Sequence, residues 1–250
     1  MKQDKIYIYG KHAVVEALTN APQVVKKVFL ASTDDKELMS LLKKADIVPG
    51  TLGKGQNIGD LERDAKHQGV IALIGLEKMM ISYDQFIKNL IITPDTSVVI
   101  MGELQDPHNV GAVIRSAAAF GVAGVFIPEH NQAPISGAVI KVSAGMAFRI
   151  PLVSVGNINN AISDLKKRGF WIYGLEGTSK NSIVDEKFDA PTALVLGNEA
   201  KGIREKTSEL CDVLLSIPMN PQCESLNVAS STAIALYAWS THHTGALGNK

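Results

Sequence analysis

The chain has 250 residues, of which 46% are hydrophobic and 20% are charged, a composition typical of a globular protein with a substantial core. The formal net charge is zero, which excludes a general attraction of the whole surface for nucleic acid but allows a local basic patch. No apolar run approaches the roughly 20 residues that span a bilayer, the first residues lack a secretory signal, and the two cysteines lack metal-site spacing. We therefore expect a cytoplasmic protein with no membrane and no metal partner.

The first 76 residues have the pattern of a small α/β unit. Residues 24–31 (VVKKVFLA) and 69–76 (GVIALIGL) are apolar and partly β-branched, which is typical of strands. Between them, leucines and alanines at helical spacing predict a helix over 34–47, with Ser32 and Thr33 as candidate N-caps. A short helix and a proline follow within the next 20 residues. The predicted division is a small domain at 1–78, a linker at 79–96 and a larger domain at 97–250.

From residue 97 onward, apolar strands alternate with helical patterns. We expect strands at SVVIMGEL, GVFIP, FWIYGLEG, TALVLGNE and VLLSIPM, and helices at NVGAVIRSAAAFGV, NNAISDLKKRG and SLNVASSTAIALYAWSTH. This alternation predicts an α/β fold with a mostly parallel sheet and helices on both faces. Ligands of such sheets bind beyond the carboxyl ends of the strands, which selects the loops 104–110, 197–202 and 218–226.

The first of these loops leads into a helix with two notable polar residues. A turn at Asp106-Pro107 predicts that the helix begins near Asn109 or the residue after it. Arg115 follows among small and apolar residues, so its guanidinium needs solvent or an anion. Asn109 at a helix N-terminus, where the backbone favours anions, fits a binding role. The alternative is structural: an N-cap asparagine and an arginine that extends to solvent.

The second loop, within TALVLGNEAKGI, is a glycine-rich turn after a strand. Gly197 and Gly202 have the spacing of P-loop glycines, but the Lys and Ser/Thr that complete a P-loop are missing. Glu199 disfavours a polyphosphate because like charges repel. A neutral or cationic ligand with hydroxyls and ring nitrogens fits better. The alternative is an ordinary turn with Glu199 in the first turn of the next helix.

The third loop precedes the last predicted helix. Ser225 is a suitable N-cap for that helix. Asn227 then adds a polar group that capping does not require, and the alternative is a tolerated exposed residue. Each loop is a weak signal alone, but all three lie at strand-to-helix junctions of one domain, which favours one shared site.

Together, NVGAVIRSAAAFG, LVLGNEAKGI and IPMNPQCESLNVASSTAIAL resemble, in order and spacing, the three motifs of the SpoU (TrmH-type) RNA ribose methyltransferases. The resemblance covers about residues 97–245. The N-terminal IYGKHAVVEAL, with GVIAL, resembles the small ribosomal-protein-like RNA-binding domain that precedes the catalytic domain in one branch of this family. The resemblance implies a SPOUT-type fold with a C-terminal trefoil knot that binds S-adenosylmethionine, and a homodimer with the site near the subunit interface.

The resemblance also implies roles for individual residues. The implied catalytic residues are Asn109, Arg115, Glu199, Ser225 and Asn227. The implied donor-binding residues, which act largely through backbone groups, are Leu175, Gly197, Ile217, Met219 and Leu226. The chain departs from the family pattern at Ala200 and Pro221, where glycine is frequent or usual. Because proline fixes φ and lacks an N–H, these departures bear on loop conformation more than on the reaction.

The implied activity is 2′-O-methylation of a guanosine ribose in 23S rRNA. We expect Arg115 to clamp an RNA phosphate beside the target ribose, because a guanidinium stays protonated. The alternatives are the same chemistry on tRNA, or a non-catalytic RNA-binding factor in ribosome assembly. Five lysines of the N-terminal domain are candidates for contacts with RNA phosphates, and the alternative is that they face solvent alone: Lys26, Lys27, Lys43, Lys44 and Lys54.

Overall fold

Two sheets organise the chain, and the computed structural model describes residues 5–53 and 67–248. The strands are β1 (Lys5–Tyr9), β2 (Val25–Leu30), β3 (Gly50–Thr51), β4 (Val70–Gly75), β5 (Met80–Ser82), β6 (Ser97–Ile100), β7 (Gly124–Pro128), β8 (Leu152–Val155), β9 (Trp171–Leu175), β10 (Asn181–Ser182), β11 (Thr192–Val195) and β12 (Val213–Ser216). The helices are α1 (Lys11–Asn20), α2 (Lys36–Lys44), α3 (Tyr83–Asn89), α4 (Pro107–Ala119), α5 (Gly137–Val142), α6 (Ile158–Lys167), α7 (Glu205–Ser208) and α8 (Val228–His242).

The N-terminal sheet has the strand order β1-β4-β2-β3. β4 pairs antiparallel with both β1 and β2, while β2 and β3 are parallel. Side chains alternate between the two faces, so that Ile6 and Ile8 of β1 are buried whereas Tyr7 and Tyr9 are only partly buried. Leu38 and Leu42 of α2 are fully buried in the same core as Ile6 and Ile8. The predicted strands and helix of this region are thus present, and Lys54 lies outside the described residues.

The larger sheet has the order β10-β12-β9-β11-β6-β7-β8-β5, and each adjacent pair is parallel. Side chains alternate between the two faces of the sheet along β6 and the residue after it. Val98 and Ile100 lie in one core cluster, and Val99 and Met101 lie in another. Helices therefore cover both faces of the sheet, which explains the near-continuous apolar runs of its strands. The expected α/β class and the mostly parallel sheet are confirmed.

The segment expected to be a linker, 79–96, contains secondary structure of both kinds. β5 pairs with β8 and forms the edge of the larger sheet, and Phe86 and Ile87 of α3 are buried in one of its core clusters. Eight described elements had no counterpart in the sequence prediction: α1, α5, α7, β1, β3, β5, β8 and β10. In the described part of the chain, no helix combines the length and apolar character needed to cross a membrane.

The predicted N-cap of α2 is wrong. The helix begins after Asp35, whose side chain accepts a hydrogen bond from the N–H of Leu38 at 3.1 Å, and not after Ser32 or Thr33. Asp and Ser are equally good capping residues, so residue type could not choose between positions three residues apart.

The predicted start of α4 is also wrong. Pro107 is its first residue and Asp106 its N-cap, accepting the N–H of His108 at 2.8 Å. Proline suits this position because the first helical N–H has no partner within the helix. The Asp-Pro pair therefore starts the helix, and Asn109 lies inside the first turn without being the cap.

An ion pair between the buried Glu16 carboxylate and the half-exposed Arg149 guanidinium links the N-terminal unit to the larger sheet's layer. The Glu16 side chain on α1 is only 8% exposed and receives two hydrogen bonds from the Arg149 guanidinium, at 2.7 and 2.8 Å. The amide of Asn20 donates a further bond to Glu16 at 2.9 Å. Lys141 of α5 lies over the Tyr9 ring, 5.2 Å from its centroid. The N-terminal unit is thus docked against the larger sheet's helices through specific polar contacts.

Replacing Arg149 with alanine leaves the buried Glu16 carboxylate with only part of its hydrogen bonds. We expect Arg149→Ala to lower the free energy of unfolding, measured by urea denaturation, by about 1–3 kcal/mol. The control is Arg168→Ala, which removes an exposed i,i+4 pair with Asp164 and should cost about 0.5 kcal/mol or less. Equal small losses in the two variants would contradict a stabilising role for the pair of Arg149 with the buried Glu16.

Candidate functional site

The carboxyl ends of β9, β11 and β12 and the N-terminus of α8 enclose a cavity of about 530 Å³. It lies at the edge where parallel strands of such a sheet bind ligands. All the site residues expected from the sequence, except Arg115, line this cavity: Asn109, Leu175, Gly197, Glu199, Ile217, Met219, Ser225, Leu226 and Asn227. Three segments far apart in the sequence thus meet around one space.

Glu199 connects the second loop to the first. Its carboxylate accepts hydrogen bonds from the backbone N–H of Gln105, at 3.2 Å, and of Asp106, at 3.3 Å. The side-chain amide of Asn109 donates to the same carboxylate at 3.2 Å. These donors lie at the start of α4, where unpaired backbone N–H groups and the helix dipole favour an anion. The alternative position of Glu199, in the first turn of the following helix, is wrong, because that helix begins only at Glu205.

Asn109 and Asn227 connect the first loop to the third. The Asn227 amide donates to the Asn109 side-chain oxygen at 2.9 Å, and Asn109 is buried, at 8% exposure. The Asn227 oxygen caps α8 by accepting the N–H of Ala229 at 2.8 Å. The prediction of Ser225 as the N-cap is therefore wrong. Ser225 lies two residues before the cap and lines the cavity. Asn227 both starts the helix and fixes the orientation of Asn109.

The turn after β11 is closed by backbone contacts. Asn198 and Gly202 exchange two backbone hydrogen bonds of 2.9 Å, and the Asn198 side chain accepts the N–H of Ala200 at 3.0 Å. A Cβ on Gly197 would lie 2.4 Å from the carbonyl carbon of Gly202, so only glycine fits there. Ala200 has no positive φ, which explains why this position does not require the glycine that is frequent there.

The charge of Glu199 is stabilised by its neighbours. Burial opposes its ionisation, but hydrogen bonds from its own N–H, from the Asn109 amide and from the N–H groups of Gln105 and Asp106 together outweigh burial. They hold the pKa of Glu199 below its ordinary value. Glu199 is therefore an anion throughout the neutral range, and the order it gives to the loops is lost only as the pH falls through that lowered pKa.

Arg115 lies on α4 away from the cavity. It is six residues after Asn109, and about 100° of rotation per residue places the two side chains on different sides of the helix. Arg115 is exposed, and within residues 5–53 and 67–248 it forms no hydrogen bond and no ion pair. The geometry of one chain thus brings together the expected site residues other than Arg115.

Several cavity residues were not assigned to the site from the sequence. Asn198, Ala200 and Gly202 lie within the selected loop 197–202. The others lie at or just beyond a strand end or in the first turns of α8: Glu176, Gly177, Leu196, Leu215, Val228 and Ser231. The signal for them was present, because each lies within a few residues of a predicted strand end or helix start. Among the described residues, no three His, Cys, Asp or Glu side chains are grouped in a way that would hold a metal ion.

The fold and the site define an α/β protein with a cavity for a small ligand at the carboxyl edge of a parallel sheet and a second, smaller domain docked on its helices. The chain belongs to the SpoU rRNA Methylase family, whose model matches residues 96–237. A further family model, RNA 2′-O ribose methyltransferase substrate binding, matches residues 7–79. The family resemblance of the three motifs is confirmed.

Named relatives match nearly the whole chain. The 23S rRNA (guanosine-2′-O-)-methyltransferase RlmB of Escherichia coli (strain K12) is 35% identical over 234 residues, which cover 92% of this chain and 96% of that protein. RlmB of Xanthomonas axonopodis pv. citri (strain 306) is 34% identical over 242 residues, covering 95% and 96%.

Solved structures share the fold. The SpoU methyltransferase AviRb from Streptomyces viridochromogenes, in complex with the cofactor AdoMet, matches with a TM-score of 0.79 at 21% identity, over 97% of this chain and 92% of that one. An AdoMet-bound rRNA methyltransferase from Sinorhizobium meliloti matches with a TM-score of 0.78 at 20% identity, over 96% and 88%.

Removing the Asn109 amide should weaken the stabilisation of the Glu199 anion. We expect Asn109→Ala to raise the pKa of Glu199, because one donor to the carboxylate is lost while its burial remains. Carboxyl ¹³C NMR titration of the native protein and the variant measures this directly. Ser231→Ala, which changes the cavity wall without touching the carboxylate, is the control, and an unchanged Glu199 pKa in Asn109→Ala would refute the proposed coupling.

Proposed function

We propose that this protein transfers a methyl group from S-adenosylmethionine to the ribose 2′-hydroxyl of a guanosine in 23S ribosomal RNA. Membership of the SpoU family and identities of 34–35% to proteins named for this reaction support it. The observation that carries the proposal is the charge of the 530 Å³ cavity at the ends of β9, β11 and β12, which is named the donor cavity from here on. Its described lining contains the carboxylates Glu176 and Glu199 but neither Lys nor Arg, which suits a cationic ligand and disfavours a phosphate.

The lining also fits the rest of S-adenosylmethionine. Leu175, Ile217 and Leu226 supply apolar walls of the kind that a purine ring requires. Gly197 lies at the cavity wall, where a side chain would collide with the backbone of Gly202, so glycine lets the turn close beside a ligand. When bound, the donor supplies an electrophilic methyl group on a sulfonium. The residues of this chain then orient the acceptor hydroxyl and position the group that accepts its proton.

The polar network gives each catalytic candidate a part in this orientation. Glu199 and Asn227 position the Asn109 side chain at the cavity wall, and Asn109 is placed to orient the ribose. Ser225 adds a hydroxyl at the same wall. Arg115 clamps the RNA phosphate beside the target ribose, since its guanidinium remains charged and fits a phosphate. Proton removal is then shared with that phosphate or with water.

A homodimer accounts for the surface around Arg115. α4 and α8 pack together, and Tyr237 of α8 is 62% exposed next to Phe120, with ring centroids 6.4 Å apart. Ile234 and Leu226 are also exposed large apolar residues of this region. Exposed apolar surface of this kind is typical of protein interfaces. Packing of a second copy on α4 and α8 would cover it and bring Arg115 to the border of a composite site.

We infer a C-terminal trefoil knot, supported by the path of the chain: β12 lies between β9 and β10 in the sheet, and the chain that follows it places α8 against α4. The N-terminal domain, ribosomal-protein-like by its sequence, serves to bind the RNA. Of its candidate lysines, Lys26 is paired with Glu77 at 2.6 Å, which leaves Lys27, Lys43 and Lys44 as the better described candidates for phosphate contacts.

A tRNA substrate is the second candidate. A TrmH/SpoU tRNA modifying enzyme from A. aeolicus shares the fold with a TM-score of 0.55, but the match covers only 63% of this chain. The relatives named for 23S rRNA cover more than 90% of it, including the N-terminal domain. This difference favours ribosomal RNA, and a ribosomal RNA substrate places the reaction in the cytoplasm.

Truncation of Arg115 should separate catalysis from donor binding. We expect Arg115→Ala to lower methyl transfer to rRNA from labelled S-adenosylmethionine by at least about 100-fold, because positioning of the reacting ribose is lost. Calorimetry should find the donor affinity unchanged, since Arg115 lies outside the cavity. Transfer at the native rate would contradict the assigned role, and Lys167→Ala, on the exposed end of α6, serves as the surface-charge control.

A charge on the exposed face of α8 should prevent association. We expect the native protein to sediment at twice the chain mass of 26.8 kDa, and Tyr237→Asp to sediment as a monomer, because a buried unpaired carboxylate is costly. Ile91→Asp, at an 80% exposed residue outside these helices, should remain dimeric. A native protein that sediments as a single chain would exclude the dimer.

A further inference from the structure

A second cavity, of about 610 Å³, lies next to the donor cavity. The two share Leu196, Asn198 and Gly202 as walls, so the turn after β11 separates them. The second cavity opens between this turn, the loop that leads into α4, and the start of α6. When the ribose of a nucleotide lies at the mouth of the donor cavity, its base can therefore reach a second concave surface.

The walls of this second cavity combine apolar surface with a few polar groups. Ile158, Val195 and Ile203 supply apolar surface, while Glu103 and Arg204 lie on the polar side. Apolar walls with a small number of convergent polar groups are typical of sites for small molecules and bases. In contrast to the donor cavity, the second cavity is lined by two cationic side chains, Lys201 and Arg204, which can approach an RNA phosphate.

Hydrogen bonds fix both the backbone and the side chain of Glu103. Its backbone has φ 62°, in the left-handed region that is rare for residues other than glycine. Its carbonyl accepts the Asn198 amide at 2.8 Å, and its carboxylate Oε2 accepts Arg204 Nη2 at 2.6 Å. Within the described residues, Oε1 has no hydrogen-bond partner. Since each carboxylate oxygen has two lone pairs, Glu103 retains acceptor capacity toward the cavity.

We propose that the second cavity binds the guanine base of the nucleotide to be methylated and that Glu103 reads its Watson–Crick edge; this inference rests on the proposed function. Guanine presents two neighbouring donors on that edge, N1–H and the N2 amino group, which match the two oxygens of one carboxylate. Adenine presents a lone pair at N1, which the carboxylate repels. Enzymes that act on one nucleotide commonly recognise the base by such edge contacts and apolar packing. Arg204 holds the carboxylate, and Lys201 at the rim is placed for the flanking phosphate.

The test is base discrimination by Glu103 variants. The substrate is an rRNA fragment that the native protein methylates, synthesised with guanosine or inosine at the methylated position; inosine lacks the N2 amino group. The native protein should prefer guanosine by about tenfold in kcat/KM, because one hydrogen bond to a charged acceptor is lost with inosine. Glu103→Gln and Glu103→Gly should bring this ratio toward one. Glycine is compatible with the positive φ, so Glu103→Gly tests the carboxylate without straining the loop.

The control is Glu129→Gln, an exposed carboxylate at the end of β7 that pairs with Ser154 outside the cavity, and it should keep the native ratio. Donor affinity by calorimetry should be unchanged in each Glu103 variant. A native guanosine-to-inosine ratio in both Glu103 variants, or a native protein indifferent to inosine, would overturn this inference and leave the proposed function standing. A native protein that binds the donor but methylates no rRNA fragment would overturn the proposed function and this inference with it.

Discussion

The site depends on the hydrogen bonds that the Glu199 carboxylate accepts. Gln105, Asp106 and Asn109 donate to it from the start of α4, and Asn109 in turn accepts from Asn227 at the start of α8. One anion thus holds the N-termini of two helices against the turn after β11. Because backbone N–H groups at a helix start have no partner within the helix, the carboxylate satisfies N–H groups at the entrance to α4 that would otherwise be unpaired.

This arrangement explains how a glycine-rich turn can bind a ligand without resembling a P-loop in its chemistry. In a P-loop, backbone N–H groups and a lysine surround phosphates. Here the charge at the turn is negative, and the turn is closed by backbone hydrogen bonds between Asn198 and Gly202, with Gly197 too close to the Gly202 backbone for a side chain. The departures at Ala200 and Pro221 are compatible with this geometry: Ala200 has an ordinary φ, and Pro221 lies on an exposed loop.

The sequence predicts the central strands well, because buried parallel strands are continuous apolar runs that few other elements resemble. It predicts the cavity residues through their place at strand ends and through the three motifs. It fails at helix starts, where Asp35, Asp106 and Asn227 replace the expected caps, since neighbouring residues have equal capping ability. Short strands such as β5 and β10 have too few residues for a periodic pattern. Contacts between distant residues, such as Glu16 with Arg149 across 133 positions, leave no local signal at all.

The most direct test of the proposed reaction is a map of ribose methylation in total RNA from cells with and without this gene. Loss of 2′-O-methylation at one guanosine of 23S rRNA, restored by the native gene and not by the Arg115→Ala variant, is the predicted result. An unchanged 23S rRNA map, or a methylation lost only from tRNA, would contradict the account.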